Sequence, residues 1–116
     1  MTETIPKPPA GLRRKGRGRA LWRQVLAVLE LDVQEMALLQ ELARCFDLLD
    51  ELDASIREHG VLLPDGRVLP AVVERRHQQI AASRLVASLR LPADLSQPAR
   101  RPQRRGSARG PYAVAS

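Results

Sequence analysis

The stretch DVQEMALLQELARCFDLLDELDASIREHG, residues 32–60, decides how this chain folds. Asp32 and Glu35 stand three apart at its start, the spacing of a capping box. In that motif the first carboxylate accepts from the backbone N–H of Glu35, and Glu35 reaches back to the N–H of Asp32. From Val33 to His59 there is neither Pro nor Gly, so one helix can run unbroken, and Gly60 follows where a left-handed C-terminal cap is favoured. Leu38, Leu42, Cys45, Leu49, Leu52 and Ile56 recur at spacings of 4, 3, 4, 3 and 4, a heptad seam that Leu39, Phe46 and Leu48 widen. Gln40, Arg44, Asp47, Glu51 and Glu58 mark the wetter side. So wide a seam on so long a helix is the expected interface of a homo-oligomer, carried by Leu38, Leu42, Cys45, Leu49, Leu52 and Ile56.

Upstream, Leu21, Trp22, Val25, Leu26, Val28 and Leu29 recur at three- and four-residue spacing, predicting a short helix from about Arg19 to near Glu30. Downstream, VLLPDGRVL at 61–69 contains the turn sequence Pro64-Asp65-Gly66 and reads as a tight loop or small hairpin. Pro70 suits the first turn of a third helix, where its missing N–H costs nothing. That helix carries Val72, Val73, Ile80, Ala81, Leu85, Val86 and Leu89 before Pro92 stops it. The expectation is an all-α core of about three helices, residues 20–91, with one long central helix. Residues 1–19 and 92–116, rich in Pro, Gly and Arg, are expected to be flexible basic arms. A three-helix unit of this size, with one Phe, one Trp and no staple, is a candidate for gaining stability by self-association.

Charge divides along the same boundaries. The net charge is +6, but residues 1–19 hold six basic groups against Glu3 and residues 92–116 hold five against Asp94. The core between them has eight basic and eleven acidic groups. A mildly acidic body with two cationic arms is the distribution of a protein that meets a polyanion through its ends, and nucleic acid is the commonest one in a cytoplasm. The candidate DNA contacts are Arg13, Arg14, Lys15, Arg17 and Arg19 in the first arm and Arg100, Arg101, Arg104, Arg105 and Arg109 in the second. The glycines between them would let the chain follow a groove. Arg outnumbers Lys seventeen to two, which suits phosphate because guanidinium donates in a fork.

Catalytic and metal-binding constellations are not readable. Cys45 has no second cysteine for a disulfide or a zinc site, and its place on the seam reads as a small buried apolar residue. His59 falls in a last helical turn, where the dipole favours it, and His77 stands beside Arg75 and Arg76. Asp47, Asp50, Glu51 and Asp53 fan out around a helix and lack the oxygen-rich loop calcium needs. They read as solvated surface, or as the docking face for a basic partner. Gly16-Arg17-Gly18 lacks the strand and the Lys-Ser/Thr of a phosphate-binding loop. Trp22 could stack on a base but lies on an apolar stripe, which favours core. No enzyme activity, cofactor or metal is expected. No 18-residue apolar run and no apolar leader occur, so the chain is expected in the cytoplasm, not in a membrane.

Taken in order, PPAGL at Pro8–Leu12, GRALWRQV at Gly18–Val25, LDVQEMALLQELAR at Leu31–Arg44, DELDASIREHG at Asp50–Gly60, DGRVLPAVVERRHQQ at Asp65–Gln79, LRLPAD at Leu89–Asp94 and RPQRRGSARGPY at Arg101–Tyr112 carry a likeness to a known family. Together they resemble one family of phage terminase small subunits. The resemblance implies a helical, ring-forming protein of the host-cell cytoplasm. Its partners would be the viral double-stranded DNA it marks for packaging and a terminase large subunit that holds the ATPase and nuclease. Two other readings of the same residues stay open: a helical adaptor whose tails only solubilise it, and a small DNA-binding regulator.

Overall fold

The computed structural model describes residues 5–91. Three helices follow one another: α1 (Arg17–Val28), α2 (Val33–His59) and α3 (Pro70–Leu89). The expected all-α core of three helices is what forms.

Helix α2 is the spine, about 40 Å long at 1.5 Å per residue. Its start is the capping box anticipated from the sequence: Glu35 N donates to Asp32 Oδ1 at 2.8 Å, and Asp32 N donates to Glu35 Oε1 at 3.0 Å. It ends at Gly60, whose φ of 84° needs a residue without Cβ. Arg57 and His59 in the last turn complement the helix dipole. Four residues separate the end of α1 from the start of α2, and the start of α1 lies beside Ala43 and Asp47, so α1 runs antiparallel along the first half of α2. Helix α3 returns along another face, with Arg75 near its start bonded to Asp53 near the end of α2.

The connection between α2 and α3 is the small hairpin. Leu62 and Val68 form a single antiparallel bridge, flanked by Leu63 N to Arg67 O and Leu69 N to Val61 O, both 2.7 Å. Gly66, at φ 91°, closes the turn by donating to Leu63 O at 2.8 Å, and Asp65 Oδ1 accepts from Arg67 N. Leu69 plugs the base of the hairpin and is buried, whereas Val61, Leu62 and Val68 stand exposed.

The core joins Leu21, Trp22, Val25 and Leu29 of α1 and its end to Leu39, Leu42 and Leu49 of α2 and Ala82 and Leu89 of α3. Trp22 is only 1% exposed, with its indole N–H donating to Pro6 O at 2.8 Å, so it is a core residue and no base could stack on it. Leu42 (0% exposed) and Leu49 (5%) lie inside the single chain. This corrects the expectation that the whole seam faces a second copy, because α1 and α3 already cover its centre. Leu38, Cys45, Leu52 and Ile56 are half-buried. Burial and the nearby Glu41 push the Cys45 thiol above its ordinary pKa, in keeping with an unreactive packing residue.

The N-terminal segment also differs from expectation. Residues 5–16, read as part of a flexible arm, lie against the core: Pro9 and Leu12 are buried, and Ile5 packs at its edge. Helix α1 begins at Arg17, two residues before the predicted start. The physical reason is a carboxylate on α2.

Candidate nucleic-acid interface

That carboxylate is Asp47. Helix α1 opens with Gly16 as its N-cap, which has no side chain to satisfy the free N–H groups of the first turn, and no acidic residue follows in that turn. Asp47 supplies the acceptor from α2. Its Oδ1 takes Gly18 N at 2.9 Å and its Oδ2 takes Arg13 N at 2.7 Å. It is 5% exposed, and both carboxylate oxygens are engaged. The glycines make the approach possible. A Cβ on Gly18 would lie 2.5 Å from Ala43 O and 2.8 Å from Asp47 Oδ1, and one on Gly16 would lie 2.7 Å from the same oxygen. Gly16 and Gly18, read from the sequence as flexible spacers between arginines, are instead where the chain fits closely against α2.

The result is a fixed turn. Gly16 N donates to Arg13 O at 3.2 Å, and Asp47 holds the turn at both ends. Arg13, Arg14 and Lys15 project from it into solvent. The five candidate residues of the first arm therefore separate into different environments. Arg17 turns back to α2: its Nε lies 3.0 Å from both oxygens of Asp50, its Nη2 lies 2.8 Å from Oδ1, and its guanidinium carbon stands 4.7 Å from the centre of the Phe46 ring. Arg19 is half-buried, with a buried Nε that has no hydrogen-bond partner among the described residues. Three of the five remain outward. Arg100, Arg101, Arg104, Arg105 and Arg109 lie outside the described residues.

Asp47 and its neighbours are a correction to the reading of a solvated carboxylate row. Asp47 is buried, Asp50 holds Arg17, and Asp53 pairs with Arg75 Nε at 2.5 Å. The hydrogen bond from Arg75, with its positive charge, holds the Asp53 carboxyl below its usual range and raises Arg75 in turn. Two of the four carboxylates, Asp47 and Asp50, are thus engaged by residues 13–18 of the same chain. Glu51 stays exposed.

Sequence reasoning missed Asp47, which carries no local signal, since its partners are 34 and 29 residues away. Elsewhere, an open cleft of about 470 Å³ lies between Ile5, Pro6, Leu26, Leu31 and Met36, with Glu30 at its edge. Among the described residues no group of three His, Cys, Asp or Glu side chains could hold a metal ion, and no helix is long and apolar enough to cross a membrane.

Comparison of the chain with protein-family models, with curated proteins and with solved structures finds no match to any of them.

Proposed function

We propose that this chain is the small, non-catalytic subunit of a phage terminase, a multimer that binds the viral genome at the start of packaging and presents it to the large ATPase and nuclease subunit. The observation that carries the reading is the outward triplet Arg13, Arg14 and Lys15 on a turn anchored to the core by Asp47. Three cations held side by side can neutralise adjacent phosphates without first losing the entropy of a free tail. The ordered set of sequence segments that resembles terminase small subunits, and the all-α core, support the same reading.

Titration of duplex DNA at several salt concentrations tests it. Three phosphate contacts give a slope of log K against log salt of about −2.7, steeper by about 0.9 for every further contact that the C-terminal arginines add. Replacing Arg13, Arg14 and Lys15 together by Ala should flatten the slope by that about 2.7. A slope near zero for the unmodified chain would sink the proposal. Light scattering on the same samples should return the mass of a multimer, and a monomer at all concentrations would remove the ring from the reading.

A second reading has one observation in its favour. Val61, Leu62 and Val68 expose 52, 56 and 47% of their surface together on one small hairpin, where a partner could cover them. A helical adaptor would use such a patch and would be indifferent to the loss of Arg13, Arg14 and Lys15.

A further inference from the structure

Arg17 is the first residue of α1, so its charge stands at the positive end of the helix dipole and next to Arg13, Arg14 and Lys15. Left to itself it would be repelled from that place. Asp50 accounts for its position, since it presents to the guanidinium what a phosphodiester presents: two anionic oxygens on one centre, both within 3.0 Å of Nε. Phe46 supports the guanidinium from one side. The pair is open to water, with Arg17 51% and Asp50 29% exposed, so it is a weak contact that another anion can displace. Arg19, two residues on, lacks this freedom because its Nε is buried.

Resting on the reading of the Arg13–Lys15 turn as a DNA contact, we infer that Arg17 is a reserve phosphate-binding residue and that Asp50 is its intramolecular decoy. A DNA phosphate seated at the turn competes with the Asp50 carboxylate for the Arg17 fork. The affinity of the chain for DNA is thereby held below what its cations allow, and Asp50 sets how far.

The test uses the full chain and a short fluorescent duplex, with anisotropy followed across a salt series. Asp50→Asn keeps the shape of the side chain and removes its charge, at a position exposed enough to leave the fold intact, which circular dichroism verifies. It should raise DNA affinity roughly two- to fivefold, the release of an exposed ion pair, and steepen the salt slope by about 0.9. Glu51→Gln removes the same charge one residue along and should leave the slope unchanged. Arg17→Ala should alter the unmodified chain little and cancel the whole gain in the Asp50→Asn background. Equal effects of Asp50→Asn and Glu51→Gln, or a gain that survives Arg17→Ala, would overturn the decoy while leaving the DNA reading in place. Binding that ignores Arg13, Arg14 and Lys15, or no binding, would overturn the DNA reading and the decoy with it.

Discussion

The carboxylate of Asp47 and the backbone of Gly18, 29 residues apart, meet at 2.9 Å, and the space a methyl group would need at Gly18 is taken by Asp47 and by the carbonyl of Ala43. Position 18 therefore reverses the usual ranking of Gly and Ala. Inside a helix Ala is normally favoured by about 0.5 to 1 kcal/mol. Here the added Cβ must push back a backbone carbonyl, so Gly18→Ala is expected to destabilise the fold by about 1 to 3 kcal/mol. Urea unfolding reads this as a lower midpoint with an unchanged slope, and a raised midpoint would contradict the close packing.

Asp47 itself should be more sensitive still. Asp47→Ala strands the N–H groups of Arg13 and Gly18, an expected cost of about 2 to 4 kcal/mol. Asp47→Asn keeps one carbonyl oxygen and should fall between the two. Thermal melts should rank the proteins Asp, Asn, Ala, with amide exchange at Gly18 accelerating in the same order. Equal stability of Ala and Asn variants would mean that only one of the two bonds counts.

Leu42 tests whether the centre of the α2 seam is core or interface. It is fully buried in the single chain, so Leu42→Ala should cost about 2 to 5 kcal/mol. Leu42→Asp should abolish the helical circular dichroism signal at every protein concentration. Ile80→Asp, on the outer side of α3 where Ile80 is 45% exposed, should instead cost only about 1 to 2 kcal/mol and leave the helical signal in place. A Leu42→Asp protein that stays folded but loses mass would return the residue to an interface.

The Asp53–Arg75 pair predicts a small acid dependence. Arg75 lowers the folded-state pKa of Asp53, so the pair's contribution is complete above the unfolded value, about 3.9, and disappears as pH falls through the lower folded value. Both side chains are about one-third exposed, which limits the contribution to less than about 1 kcal/mol. The stability difference between the unmodified chain and Asp53→Asn should be constant from about pH 5 to 7, above the unfolded value of about 3.9, and close in stronger acid. A gap that persists there would assign it to packing instead of charge.

Most of the scaffold was legible in residues close together along the chain. The Asp32–Glu35 box, the run free of Pro and Gly up to His59, the cap at Gly60, the Pro64-Asp65-Gly66 turn and Pro70 at the head of α3 all act within a few residues, so their spacing alone determines where helices start, stop and turn back. Local rules also marked Arg13, Arg14 and Lys15 as cations in a Gly-rich stretch. They could not distinguish these from Arg17 and Arg19, or recognise Gly16 and Gly18 as contact points. Nor could they tell that Asp47 is buried while Glu51, on the same helix, is exposed. Each of those outcomes depends on which face of α2 lies opposite which turn of α1. Only the tertiary structure decided it, because the partners of a buried carboxylate are chosen by packing across the fold and not by distance along the chain.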